Sequence, residues 1–336
     1  RLVSVITEVP VLAFVCSKAV ESTDISRSED MWLPGPSVAI VTGASTGIGF
    51  TVVRDMVRFF DGTVYLTCRN ETAGLAAVDE IKHIYDNETI PTRRYYQEKI
   101  KFYKVDVSDY MDVVNFTQHV TKVHGGVDIL VNNAAVHLDM AGHLTKEEKV
   151  KQTMDTNYFG LLRMCHFLFP LLRPSSRVVH VSAQVGHLTQ IQNGTELREK
   201  FKMSNMTEDE LTGLMQQYMH DVHNGTHLEK GWPDSPYTVS KIGVSMLAMI
   251  QQKDFNRTTD IAINSVNPGY ARTQMTNFTG IMEAEEAGDP ILYLACLTPG
   301  RGEPKGKLIW NNKEVQAWND TLVHVNDHPS KCKKYW

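Results

Sequence analysis

Two short constellations in this chain of 336 residues combine residue types and spacing that can do chemistry. The first is Gly43-Ala44-Ser45-Thr46-Gly47-Ile48-Gly49, which follows an apolar run at 37–41 and precedes a stretch with apolar residues at Val52, Val53, Met56, Val57 and Phe60. Glycines in a strand-to-helix turn let backbone N–H groups close on a pyrophosphate at the positive end of the helix. A tight turn with no ligand uses the same residues, but its place after the first buried strand favours a dinucleotide. The second is Tyr237-Thr238-Val239-Ser240-Lys241, whose phenol and ammonium, four residues apart, share one helix face. A tyrosine titrating at its ordinary value of about 10 is a poor acid at neutral pH, and a close cation brings it down. Such a pair alone is common surface decoration and takes its meaning from its company. A third clue is Cys68-Arg69 at the end of the second apolar run. An acid there would hold a ribose 2′-hydroxyl, whereas a guanidinium pairs with a 2′-phosphate. The predicted cofactor is NADP(H).

The elements that must position these residues follow from apolar periodicity. Strands are expected at 37–41, 63–67, 100–105, 127–131, 178–182 and about 261–266. Helices are expected from the glycine turn to Phe60, then over 73–85, 111–124, 159–172 and 237–255, with Gly125-Gly126 ending the third. Strands alternating with helices at this interval build βαβ units around a parallel sheet buried on both faces. The predicted fold class is therefore α/β, a doubly wound parallel sheet (a Rossmann fold) forming a single domain over 31–318. The stretch 187–236, just before Tyr237, is too long for a bare connection. It carries Thr207 and Glu210 at capping-box spacing, an apolar stripe of Leu211, Leu214, Met215, Tyr218 and Val222, and a stop at Asn224-Gly225. A helical insertion that covers core is expected there. Residues 1–30 have only Arg1 as a basic residue ahead of their apolar run, which does not make a signal peptide. They are expected to be disordered or an extension, with Met31 as the natural start and 319–336 as a C-terminal tail.

Taken in order, Thr42-Gly43-x3-Gly47-x-Gly49, Asn132-Asn133-Ala134, Asn157 and Tyr237-x3-Lys241 resemble the short-chain dehydrogenase/reductase family from Ser37 to about Trp318. Glu229-Lys230-Gly231-Trp232-Pro233, Thr156-Asn157-Tyr158-Phe159-Gly160 and Asn267-Pro268-Gly269-Tyr270-Ala271-Arg272-Thr273 are similar to its monomeric NADPH-dependent carbonyl reductases. The resemblance implies reduction of ketones, aldehydes or quinones to alcohols. It also implies that Gly43, Ser45, Thr46, Gly47, Ile48 and Gly49 cradle the cofactor and that Arg69 takes the 2′-phosphate. Asp106, with Val107 beside it, would meet the adenine, and Asn133 and Ala134 would line the adenosine. Asn157 would hold a water in a relay to Lys241, which would bond the nicotinamide ribose and lower the pKa of Tyr237, the proton donor. Pro268, Gly269 and Thr273 would flank the nicotinamide, while Tyr270, Met275, Ser182 and Ala183 would border the substrate.

Three positions depart from the family pattern. Its NNAG ends here in Ala135, and Thr46 stands where related reductases often carry a lysine, so the NADP preference rests mostly on Arg69. The strand end that reads SSxxG in the family is Ser182-Ala183-Gln184-Val185-Gly186, with alanine at the catalytic serine. Strand alternation aims Ser182 to the opposite face unless a bulge presents it. An enzyme of reduced activity is expected. A dinucleotide-binding protein with weak or no catalysis, and a steroid or prostaglandin dehydrogenase on the same scaffold, are the alternatives.

Composition removes other classes. A net charge of −5 and a pI near 6.2 argue against a grip on nucleic acid, which needs a basic face. Apolar runs reach only about eight residues, so no membrane span is expected. Five scattered cysteines without a CxxC pair, and thirteen histidines with none in HxxxH spacing on an obvious helix, point to neither a disulfide framework nor a metal. The insertion is placed to cover the helix through which many relatives pair, so a monomer acting on a small-molecule carbonyl is expected. The expected compartment is the cytoplasm. Against it stand nine N-x-Thr sequons among seventeen asparagines, at Asn70, Asn87, Asn115, Asn193, Asn205, Asn224, Asn256, Asn277 and Asn319. Composition predicts roughly two such sequons, and secretion remains the minority alternative.

Overall fold

Each β-branched run expected to be a strand is one in the structure, a computed structural model that describes residues 37–318 apart from 256–259, 299 and 301–303. The leader 1–30, Met31, the tail 319–336 and the sequons at Asn256 and Asn319 lie outside the described residues. The strands are β1 (Ser37–Thr42), β2 (Gly62–Cys68), β3 (Ile100–Lys104), β4 (Val127–Asn132), β5 (Leu172–Val181), β6 (Ala262–Val266), β7 (Leu308–Ile309) and β8 (Val315–Gln316). They form one sheet in the order β3-β2-β1-β4-β5-β6-β7-β8, parallel throughout except where β8 turns back on β7. The helices are α1 (Gly47–Phe59), α2 (Glu71–Ile84), α3 (Ile90–Lys99), α4 (Tyr110–His124), α5 (Lys146–Met154), α6 (Leu161–Leu168), α7 (Glu196–Lys202), α8 (Glu208–His223), α9 (Pro236–Phe255) and α10 (Ala284–Ala295).

The strand period of two sends Ala39 and Val41 to one face, where α1, α2 and α10 cover them, and Val38 and Ile40 to the other, under α4, α6 and α9. That two-sided burial is why the strands read as continuous apolar runs rather than alternating ones. The strand order reverses between β2-β1 and β4, so the C-terminal ends of β1 and β4 open the crevice where such sheets bind ligands.

The helix expected over 159–172 is corrected. A π turn spans Asp155–Gly160, α6 ends at Leu168, a 3-10 turn covers Phe169–Leu171, and Leu172 already belongs to β5. Pro170 has no N–H to donate and closes the helical ladder. The short strands β7 and β8 and the helices α3, α5, α7 and α10 add to the predicted elements.

The insertion folds as α7 and α8, and α8 opens with the predicted capping box. Glu210 N–H donates to Thr207 Oγ1 at 3.2 Å and Thr207 N–H donates to Glu210 Oε2 at 2.8 Å. A cap of this kind contributes only about 1 kcal/mol. Leu211, Met215, Tyr218, Val222 and Trp232, buried against Ile242 and Met246 of α9, each contribute about 1.5–3 kcal/mol and hold the insertion down. A polar thread crosses the same interface. Gln251 Oε1 accepts from Nε2 of the fully buried His180 at 2.9 Å, and its Nε2 donates to Glu208 Oε2 at 2.9 Å. Glu208 Oε1 meets His166 Nε2 at 2.5 Å, and this carboxylate holds His166 above its ordinary pKa. Replacing Glu208 by alanine leaves Gln251 without its acceptor in a buried setting. We expect Glu208→Ala to lower unfolding free energy by about 1–3 kcal/mol in urea titration; an unchanged midpoint would show that the thread does not hold the insertion.

Candidate active site

The glycine turn is held by the neighbouring strand end. Thr42 Oγ1 accepts the N–H groups of both Asn133 and Ala134 at 3.0 Å. Asn133 Nδ2 donates to the carbonyls of Thr42 at 2.9 Å and Gly43 at 3.0 Å. Gly43 has φ +62, and a Cβ there would lie 2.6 Å from Ala134 Cα. At Gly49 a Cβ would meet Asn133 Nδ2 at 2.5 Å, so the clamp itself demands glycine. The loop after β6 closes over the same turn, since the Cβ position of Gly47 is 3.2 Å from Thr273 Cγ2. The structure thus brings Gly43, Gly47, Gly49, Asn133, Ala134 and Thr273 together. Asn133 spends its amide nitrogen on holding the turn.

Other predicted cofactor residues are spread along the same crevice. Thr46 is exposed, Ser45 and Ile48 are half-buried, and the first turn of α1 has neither a side-chain cap nor an acidic residue. Arg69 is exposed one residue beyond β2. Asp106 is half-buried and its Oδ1 accepts from the N–H and hydroxyl of Ser108 at 2.9 and 2.6 Å. Val107 is buried, and its carbonyl accepts from Arg163 Nη1 at 2.6 Å. Pro268 is buried and Gly269 half-buried at the exit of β6. Tyr270 bonds Thr279 Oγ1 at 2.5 Å through its hydroxyl, and Met275 is exposed on a 3-10 turn.

Helix α9 starts sharply because Pro236 needs no N–H partner and Ser235 Oγ accepts from Thr238 N–H at 3.0 Å. Tyr237 is half-buried on the first turn, and Lys241, one turn on, is only 3% exposed. Lys241 Nζ donates to the Val181 carbonyl at 2.7 Å and lies 5.6 Å from the Tyr237 ring centre. Burial brings this ammonium down to about 7. Burial, with a smaller push from Asp139, drives the Tyr237 phenol up, not down as the spacing had predicted. The spacing counts the cation and misses the desolvation, which acts on both groups. Asn157, on the π turn, accepts from Val136 N–H at 2.8 Å and donates to the Val136 carbonyl at 2.9 Å and Ser240 Oγ at 3.0 Å.

Ser182 is turned away. The residue is 2% exposed, and its hydroxyl donates to the Lys241 carbonyl at 3.0 Å and meets Ser245 Oγ at 2.6 Å. No bulge presents it, so its expected place beside a substrate is corrected: it fastens β5 to α9. Ala183, 8% exposed, continues in extended conformation. The sequence reading missed His137, whose imidazole stacks on Tyr237 with centroids 4.3 Å apart. His137 Nε2 is 3.6 Å from Asp139 Oδ2, which also accepts from Ser235 Oγ. Burial raises the Asp139 carboxyl, but His137 and Ser235 outweigh it and its net displacement is downward. The available signal was position: two residues after Ala135, a side chain leaving β4 must pass the start of α9. Among the described residues no cluster of three or more His, Cys, Asp or Glu could hold a metal ion, and no helix is long and apolar enough to cross a membrane.

Residues 37–195 match the family model described as short chain dehydrogenase. Carbonyl reductase [NADPH] 3 of Mus musculus is 37% identical over 285 residues, covering 84% of this chain and 98% of that protein. Carbonyl reductase [NADPH] 1 of Homo sapiens is 35% identical over 287 residues, covering 84% and 99%. Among solved structures, salutaridine reductase from Papaver somniferum superposes with TM-score 0.70 at 24% identity over 81% of this chain and 99% of that one, a likeness of fold.

Burial of Lys241 has a consequence for stability. Its pKa falls from 10.5 in an unfolded chain to about 7 in the fold, so between those values the unfolded chain binds the extra proton. Stability supplied by this residue therefore rises with pH across that window. Relative to Lys241→Met, the native chain should gain up to about 1.4 kcal/mol per pH unit there, read by urea unfolding at stepped pH; parallel pH curves for the two proteins would show that the ammonium is not buried.

Proposed function

The chain belongs to the short chain dehydrogenase family, and on that premise we propose that it is an NADPH-dependent carbonyl reductase turning ketones, aldehydes or quinones into alcohols. One observation carries the reading: a phenol and a buried ammonium one helical turn apart, at the same crevice as a glycine turn that has no room for side chains. The residues fit the cofactor. The uncapped, acid-free first turn of α1 suits a pyrophosphate, and the exposed Arg69 suits a 2′-phosphate. Ser45, Thr46 and Ile48 would follow the phosphates, and Asp106, whose Oδ1 is engaged by Ser108, would offer Oδ2 to the adenine amino group. Pro268, Gly269 and Thr273 would wall the nicotinamide. When bound, the reduced nicotinamide supplies the hydride.

The chain's own residues supply the proton and its placement. Tyr237 donates from its hydroxyl to the carbonyl oxygen, and Lys241 holds the ribose and balances the phenolate that forms. Because burial holds the phenol high, the proton is retained until the carbonyl oxygen becomes basic. The Asn157 amide is engaged by Val136 and Ser240, so a relay water would be held by a carbonyl that the π turn takes out of the regular ladder. Tyr270 and Met275 on the loop after β6, with Ala183, would border the substrate. The insertion packed on α9 supports a monomer. The relatives favour neither a dinucleotide-binding protein without catalysis nor a steroid or prostaglandin dehydrogenase. The test is NADPH oxidation across a panel of quinones, aldehydes and ketones with Tyr237→Phe as control; no turnover on any of them would remove the proposal.

Arg69→Ala should erase most of the preference for NADPH over NADH, a charge-assisted contact worth about 1.5–3 kcal/mol. The measurement is the ratio of the two dissociation constants, and an unmoved ratio would acquit Arg69.

Losing one preorganised donor costs about 10²–10³ in turnover, so the enzyme should be slow on unactivated ketones and better on quinones. Ala183→Ser should raise kcat for an unactivated ketone by about tenfold or more without changing NADPH affinity. If the substitution does nothing to a parent that is already fast, His137 is the group to examine, since Ser182 is committed to α9.

A further inference from the structure

The asparagines of this chain sort by exposure according to whether threonine stands two residues on. Seven N-x-Thr asparagines fall within the described residues, Asn70, Asn87, Asn115, Asn193, Asn205, Asn224 and Asn277, and all seven are exposed. Of the seven described asparagines outside the pattern, Asn132, Asn157, Asn264 and Asn267 are buried, Asn133 and Asn311 are half-buried, and Asn312 alone is exposed. Helix capping accounts for Thr195 and Thr207, whose hydroxyls cap α7 and α8, but it asks for no asparagine two residues earlier. Asn87, Asn193, Asn205, Asn224 and Asn277 sit on turns, and Asn115 lies on an exposed position of α4. Asn70 caps α2 by accepting the Ala73 N–H at 2.9 Å through Oδ1, which engages the oxygen and leaves the amide nitrogen that a sugar takes.

We propose that this chain is N-glycosylated at its exposed N-x-Thr asparagines and works in the lumen of the secretory pathway. This reverses the cytoplasmic expectation, because such sequons are used only by chains that enter that pathway. The donor is a polyprenyl-diphosphate-linked oligosaccharide. The asparagine Nδ2 bonds to the anomeric carbon as it gives up one proton, and the bond from that carbon to the diphosphate oxygen breaks, the polyprenyl diphosphate leaving with the electron pair. Asn193 precedes α7, and Asn205 and Asn224 bracket α8, so three glycans would coat the insertion and keep its outer face from pairing with a second copy. The glycine turn and the Tyr237–Lys241 segment contain no such asparagine.

The protein isolated from its native cells should be treated with peptide N-glycosidase in heavy-oxygen water, and its peptides sequenced by mass spectrometry. Expected are a drop in apparent mass and heavy aspartate at most of the seven positions, with Asn132, Asn157, Asn264 and Asn267 unlabelled. Label at fewer than half of the seven, or none, overturns the proposal. In parallel, intact microsomes from the same cells should protect the protein from added protease until detergent is present; digestion without detergent overturns the lumenal placement. Neither readout depends on reductase activity.

Discussion

A lysine ammonium kept out of water beside a phenol is the constraint on which the rest of this structure turns. Lys241 is 3% exposed and donates to one backbone carbonyl, that of Val181, at 2.7 Å. A charge in that position costs several kcal/mol after relaxation, so its surroundings must be fixed by other means. The sheet packs on one side of α9 through Ala248, Val178 and Ile263, and the insertion packs on the other through Met215 and Tyr218. Burial brings Lys241 to about 7, where it exchanges its proton near neutrality.

The exit of β4 is the part that joins the glycine turn to the Tyr237 phenol. Asn133 and Ala134 donate to Thr42, and the Asn133 amide grips the carbonyls of Thr42 and Gly43. Three residues later Val136 exchanges two hydrogen bonds with Asn157, which donates to Ser240, whose hydroxyl donates to the Tyr237 carbonyl. One extended segment therefore references both the glycine turn and the start of α9 to the same strand. Its polar groups are satisfied by each other, so the geometry is set before any ligand arrives.

Chemistry written in local spacing was legible in the sequence. The glycine turn, the Tyr237–Lys241 pair, the Thr207–Glu210 cap and the strand runs each occupy a few consecutive residues and obey fixed periods. What the sequence hid depends on contacts between distant segments. The two-residue strands β7 and β8 have no period to detect, and the π turn at Asn157 changes the phase of a helix without changing its composition. The engagement of Ser182 with Lys241 and Ser245 needed α9 in place. The pKa of Tyr237 was assigned the wrong direction because one opposing charge was visible in the sequence and burial was not.

Ala183 is best understood together with that raised phenol. A hydroxyl at this position would share the negative charge growing on the substrate oxygen; an alanine methyl leaves the work to Tyr237 and Lys241. Tyr237 is reluctant to release its proton, being buried and under the influence of Asp139, and His137 covers one face of its ring. A carbonyl that gathers most of the incoming charge on its oxygen at the transition state would suffer most from the missing donor. A quinone spreads the incoming charge over its ring and leaves less on the oxygen at the transition state. On the proposed function the missing serine would therefore tilt the site toward carbonyls that leave little charge on oxygen, because those lose least by its absence.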